Sequence, residues 1–279
     1  MHRISIEPIV KAALLEDLGH GSDITSEAVI PAGLNARAVI NTREDGVIAG
    51  VEVAVLAFRL VDPSLEVIVH KRDGEAITAG DKILTISGSA RSITTAERVA
   101  LNFASHLSGI ASATAAYVAR CAGTSAKVCC TRKTLPGLRG LQKQAVLLGG
   151  GANHRFGLDD AILIKDNHIA MAGGVNAVLD AAQARCSHMM KIEIEVDTLD
   201  QLSQVLKHGG ADIVLLDNMD NDTLREAVAM VDGTMVCEAS GGVNLETVQG
   251  IAQTGVDYIS VGALTHSVTV LDLGLDIEI

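Results

Sequence analysis

The chain has 279 residues, 48% apolar but only 2% aromatic with no Trp, and a formal net charge of -12. An acidic chain without ring platforms is a poor partner for nucleic acid, whose phosphates reward positive surface and whose bases stack on aromatics. No apolar run approaches the roughly 18 residues of a membrane span, and "MHRISIEPIVKAALLEDLGHG" carries acids where a signal peptide has its apolar core, so a soluble, unexported, cytoplasmic protein is expected.

The first hundred residues mix strand-like pieces with Gly and Pro punctuation. A helix is expected over about 7–18, stopped by the glycines of "GHGSDITS", followed by strands at "ARAVINT", "LEVIVHK" and "KILTISG". From Thr94 the spacing turns helical in "TTAERVALNFASHLSGIASATAAYVARCAG", with Thr95 as its expected N-cap. This suggests a small α+β domain over 1–108, with the long helix leading out of it.

Beyond Lys127 short β-branched runs recur, each followed by polar residues and then, in most cases, a helical pattern: "AKVCC", "AILIK", "KIEIEV", "DIVLL", "TMVCE" and "DYISV". Amphipathic stretches at 175–185, 199–208, 222–231 and 245–254 lie between them. Strand and helix in alternation imply right-handed βαβ units and a parallel sheet. The fold expected for 109–279 is an incomplete β/α barrel of about six to seven strands. Five cysteines, odd in number and unpatterned, suggest reduced thiols; Cys129 and Cys130, adjacent on a strand, point to opposite faces.

Ligands in parallel β/α folds bind beyond the carboxyl ends of the strands. Here those ends carry Thr131, Arg132 and Lys133, then Lys165 to His168, Glu193 and Glu195, Asp217 and Asn218, Ser240 and Gly241, and finally Gly262 and Ala263. Between Lys127 and His168 seven Lys and Arg face three Asp, a local excess of cations suited to a small polyanion, since Arg forks match carboxylate and phosphate. A solvated basic loop is the plainer explanation of such a run, but strand-end placement favours a site for Arg132, Lys133 and Lys165. "GGGANHR" has the wrong spacing for a dinucleotide fingerprint and is expected to be a mobile loop delivering His154 and Arg155. His154 alone would be a weak candidate. Glu195 and Asp217 offer hard oxygens for Mg²⁺ or sugar hydroxyls, and the small residues of "ASGG" and "SVGALTHS" let backbone N–H groups approach a phosphate.

Taken in order, "LLEDLGHGSDITSEAVIPA", "TAERVALNFASHLSGIAS", "TRKTLPGLR", "GGGANHRFGLDDAILIKDNH", "EIEV", "LLDNM", "EASGGV" and "GVDYISVGALTHS" resemble quinolinate phosphoribosyltransferase over nearly the whole chain. The resemblance implies an N-terminal sandwich domain before the incomplete barrel. It also implies transfer of phosphoribosyl from phosphoribosyl pyrophosphate to quinolinate with decarboxylation, in NAD biosynthesis. Residues matching the family's quinolinate contacts are Arg98, Thr131, Arg132, Lys133, His154, Arg155 and Lys165, with Arg98 reaching the neighbouring subunit of a homodimer. Glu195 and Asp217 are implied for ribose and Mg²⁺, and Ser240, Gly241, Gly262 and Ala263 for the 5′-phosphate. Lys133, Arg139 and Lys165 are implied for the pyrophosphate, and Lys133, Lys165, Glu195 and Asp217 for catalysis. The Glu195-to-Asp217 interval is one residue longer than the family's, which leaves Glu193 as an alternative on the same strand face. A Schiff-base lyase on the same barrel, using Lys165 or Lys133, is the competing enzyme class. A non-catalytic anion binder is the competing binding role. The related molybdenum-transport branch usually lacks the "KDNH" that this chain keeps.

Overall fold

The computed structural model describes residues 1–278. The chain forms two compact units, neither contiguous in sequence. The first holds Met1–Ala115, Thr134–Gly150 and the chain from Thr265 onward; the second holds Ala116–Lys133 and Gly151–Leu264. In chain order the elements begin with α1 (Arg3–Leu18), α2 (Ile24–Val29), β1 (Asn35–Thr42), β2 (Gly46–Val47), α3 (Val51–Val61), β3 (Glu66–Val69), β4 (Ala76–Ile77), β5 (Lys82–Ser89) and α4 (Ala90–Arg120). There follow β6 (Lys127–Cys129), α5 (Arg139–Leu148), β7 (Ile162–Ile164), α6 (Asp166–Ala172), α7 (Val175–Gln183), β8 (Ile192–Val196) and α8 (Leu199–His208). The last are β9 (Ile213–Asp217), α9 (Asn221–Val231), β10 (Val236–Ser240), α10 (Val248–Ala252), β11 (Tyr258–Ser260), α11 (Ala263–His266) and β12 (Leu273–Glu278).

The first unit is built on a four-stranded sheet of order β12-β1-β5-β3, antiparallel throughout, with β2 and β4 as a separate pair. The C-terminal strand β12 returns to the edge of β1, a pairing hidden in the sequence because its partner lies more than two hundred residues away. Buried Ile40, Leu84 and Ile86 share the core with Phe58 of α3 and Ile93 of α4. Burying each side chain of this size contributes about 1.5–3 kcal/mol. Thr95 does not cap α4. The helix starts a turn earlier because β5 runs directly into it, and Ser89 Oγ accepts the Ser92 N–H at 3.3 Å in the capping role. Thr95 Oγ1 instead donates to Arg91 O and Asp23 Oδ2.

The second unit is a parallel six-stranded sheet of order β6-β11-β10-β9-β8-β7, as the recurring apolar runs predict. Beside β6, Ala152 makes an isolated parallel bridge with Cys129. Each helix is cut to length by its ends. On α8, Thr198 accepts the Gln201 N–H, the Gln201 amide oxygen takes the Thr198 N–H, and left-handed Gly209 closes the helix. Leu202 and Val205, three residues apart, form its buried stripe.

Strand register sorts the side chains of the sheet into two sets. Ile192, Ile194, Val196, Val214, Leu216, Cys237, Ala239, Ile259 and Val128 are all buried and apolar. The alternate positions put Glu193, Glu195, Asp217, Glu238, Ser240, Ser260 and Cys129 on one common face. That polar face carries the candidate site.

Candidate active site

The second unit brings cations to its strand ends by local tethers. After β6, Cys130 N–H donates to Ala152 O at 3.1 Å, and Cys130 Sγ donates to Asn153 Oδ1 at 3.1 Å. These bonds hold the segment after the glycines in place, so it is not a loose loop, and they deliver His154 and Arg155 beside the end of β6. Thr131 Oγ1 accepts the Lys133 N–H at 3.0 Å, turning the chain between them.

Arg155 is half-buried. Its Nη1 donates to Ala161 O at 2.8 Å, while its buried Nε has no hydrogen-bond partner among the described residues. Burial, and next the neighbouring Arg132 guanidinium, push Arg155 below the usual arginine range. Two guanidinium groups held near each other against repulsion, one with an orphaned donor, suit a bound anion. Asp160 stays below the ordinary aspartate range despite burial, because the N–H groups of Phe156 and Gly157 donate to it.

Lys165 follows β7 directly, and the "KDNH" motif fixes its backbone. His168 Nδ1 accepts the Lys165 N–H at 2.9 Å, and Asp166 Oδ1 accepts the Asn167 N–H at 2.6 Å. The Lys165 ammonium donates to Glu195 Oε2 in a close ion pair, with Lys165 about half exposed and Glu195 nearly covered. Asp217 ends the neighbouring strand β9 on the same face, and its Oδ2 accepts from Asn218 Nδ2 at 2.5 Å.

The ends of β10 and β11 carry small residues for a steric reason. Gly241 has φ +96°, and a Cβ there would lie 2.1 Å from Asn218 Oδ1 and 2.9 Å from Asn218 N. Asn218 is itself left-handed, at φ 54°, and donates its N–H to Ser240 O at 2.9 Å. Gly262 and Ala263 follow β11, where Val261 N–H donates to Cys129 O. In the first unit, Arg98 is exposed on α4, and Arg139 Nε donates to Thr134 Oγ1 at 3.0 Å.

Beneath the strand ends lies a cluster that motif reading missed in part. His154 Nε2 is 2.9 Å from Glu193 Oε2 and 3.8 Å from Glu238 Oε1, and ligand-capable atoms of all three lie within 4.8 Å of one another. His154 Nδ1 accepts the Arg155 N–H at 2.8 Å, and the Ser260 hydroxyl donates to Glu238. Burial, then Glu193, push Glu238 up to about 7. Burial, then Glu238, push the Cys129 thiol well above its usual range. The imidazole makes this set a poor one for Mg²⁺, which takes hard oxygens; Glu195 and Asp217 are the better match. The signal for Glu238 was available: an acid at an interior-face position of "TMVCEAS".

A model of the quinolinate phosphoribosyl transferase C-terminal domain matches residues 110–276, and one of the N-terminal domain matches 23–108. The chain belongs to the quinolinate phosphoribosyltransferase family. Within that family it is 46% identical over 273 residues to the nicotinate-nucleotide pyrophosphorylase (carboxylating) of Mycobacterium leprae, covering 96% of this chain and 95% of that protein. A probable nicotinate-nucleotide pyrophosphorylase of Bacillus subtilis is 39% identical over 279 residues, covering 100% and 96%. The solved nicotinate-nucleotide pyrophosphorylase of Francisella tularensis superposes with TM-score 0.95 at 37% identity, covering 100% of this chain and 98% of that one. The family's two-domain order and incomplete barrel are those expected from the sequence.

Proposed function

We infer that this protein transfers the phosphoribosyl group of phosphoribosyl pyrophosphate to quinolinate with loss of CO₂, giving nicotinate mononucleotide and pyrophosphate in NAD biosynthesis. The observation that carries this reading is the juxtaposition, on one family barrel, of the crowded Arg132–Arg155 pair with the Lys165–Glu195 pair and Asp217. A dicarboxylate satisfies the orphaned Arg155 donor and relieves the repulsion between the guanidinium groups. Thr131, Arg132, His154, Arg155 and Lys165 form its cradle; Lys133 serves the pyrophosphate. Glu195 and Asp217 take the ribose hydroxyls and Mg²⁺, while the backbone around Ser240, Gly241, Gly262 and Ala263 receives the 5′-phosphate.

The chemistry follows from this placement. The pyridine nitrogen attacks the anomeric carbon as its bond to pyrophosphate breaks, and the electron pair leaves on the pyrophosphate oxygen. Positioning by the cradle carries much of the acceleration, and the cations stabilise charge where it develops. Held by Glu195 and Asp217, Mg²⁺ would supply Lewis-acid stabilisation to the departing pyrophosphate. With the nitrogen quaternised, the bond to the adjacent carboxylate breaks, CO₂ departs, and the electron pair left on the ring carbon takes a proton.

A homodimer in which Arg98 completes the partner's site accords with its exposure on α4. A cytoplasmic location accords with five free cysteines, and no helix among the described residues is long and apolar enough to cross a membrane. The lyase alternative fits poorly, because Lys165 is ion-paired and half exposed and Lys133 is exposed, whereas a Schiff-base amine needs a desolvated setting. Incubation of the purified protein with quinolinate, phosphoribosyl pyrophosphate and Mg²⁺ is expected to yield nicotinate mononucleotide. With a carbonyl substrate added, borohydride is expected to trap no imine; absence of the nucleotide, or a trapped lysine adduct, would contradict the assignment.

A further inference from the structure

Glu238 stands outside the side chains assigned to substrate, and its surroundings differ from theirs. It is 5% exposed on β10, with Leu215 of β9 and Tyr258 of β11 as its register partners. The groups facing it are Glu193 from β8, His154 from the segment after the glycines, Ser260 from β11 and Cys129 from β6. Arg155 lies beyond them, near Glu193. Glu193 is itself 4% exposed, and its Oε1 has no hydrogen-bond partner among the described residues.

Counting protons decides how the cluster works. An imidazole that accepts a backbone N–H at Nδ1 carries its own proton on Nε2, and here that proton goes to Glu193. The Ser260 hydroxyl supplies one donor to Glu238. Two ionised carboxylates buried this close would repel each other in a medium that screens them poorly, and one added proton removes the conflict. The shift of Glu238 towards neutrality agrees with that count, since burial and Glu193 both favour its protonated form.

We propose that Glu238 is a positioning residue: held as an uncharged acid, it lets Glu193 grip His154, whose ring takes the Arg155 N–H and so aims the Arg155 guanidinium at the dicarboxylate. The inference rests on the substrate reading above and adds a residue to it. When Glu238 ionises, its proton passes to solvent and its charge faces Glu193, the carboxylate that holds His154. The two buried charges push apart, Glu193 loosens its hold on the imidazole, and the bracket opens. Affinity for the dicarboxylate therefore falls as pH rises through the Glu238 titration.

The test is calorimetric titration of the full chain with quinolinate, without phosphoribosyl pyrophosphate, from about pH 6 to about pH 8.5. For the unaltered protein the dissociation constant is expected to rise about tenfold across this range. Glu238→Gln keeps the shape and the neutrality of the acid. It should fold, bind within about threefold of the unaltered protein at the acid end, and lose the rise above pH 7. The same pH dependence in both proteins overturns the proposal. A Glu238→Gln chain that fails to fold or to bind at the acid end also overturns it, because the residue is taken to be uncharged already. If the unaltered protein binds no quinolinate at any pH, the substrate reading fails first; binding without a Glu238-dependent slope sinks this inference alone.

Discussion

Arg132 and Arg155 repel each other, and removing one cation leaves a bound carboxylate short of a partner. Arg132→Ala should cost on the order of 2–4 kcal/mol in quinolinate binding, seen as a raised KM or dissociation constant. Unchanged binding would remove Arg132 from the site. Glu238 also affects stability. Its folded pKa, about 7, lies above the unfolded value of 4.5, so the native state binds more protons between these values and stability falls as pH rises through that window. Glu238→Gln should therefore raise Tm relative to the unaltered protein at about pH 8 more than at about pH 5, and equal shifts would contradict the raised pKa. At this scale the sequence exposed the cations well, because Arg132 and Lys165 follow short apolar runs. It hid the cluster beneath them: nothing local to "TMVCEAS" tells that Glu238 meets Glu193 and His154, which come from elements distant in the chain.

The barrel's helices and strand ends were readable wherever period and punctuation agree. The 199–208 pattern became α8 without adjustment, since Thr198, Gln201 and Gly209 mark both ends. Thr198→Ala should destabilise the fold by about 1 kcal/mol by chemical denaturation, through loss of the cap alone. Where a tertiary connection overrides local signals, reading failed: Thr95 looks like a cap, yet β5 feeds α4 from Ser89. The 245–254 pattern narrows to Val248–Ala252 because the Asn244 side chain accepts the N–H groups of Glu246 and Thr247 and makes a turn there. Gly241 has a sharper requirement. Its left-handed φ and contact with Asn218 leave no room for a Cβ. Gly241→Ala should shift the end of β10 and weaken phosphoribosyl pyrophosphate binding, and a KM equal to that of the unaltered protein would separate Gly241 from the phosphate site.

At the scale of the whole molecule, the chain forms two compact units, each drawing on separate stretches of sequence. Sequence showed the change of rhythm near Lys127, but strand pairing between β1 and β12 depends on contacts across the chain's length. The proposed completion of one subunit's site by Arg98 of its neighbour is testable by mixing. Arg98→Ala and Lys165→Ala, each inactive alone, should regain partial activity once their subunits exchange. No recovery under demonstrated exchange would contradict a site completed by the partner. The central claim, decarboxylating phosphoribosyl transfer at this barrel's mouth, is tested most directly by the stoichiometry of its products. With carboxyl-labelled quinolinate, Mg²⁺ and phosphoribosyl pyrophosphate, CO₂ release should match nicotinate mononucleotide formation mole for mole and stop when phosphoribosyl pyrophosphate is left out. CO₂ released without it, or nucleotide formed without CO₂, would contradict the account.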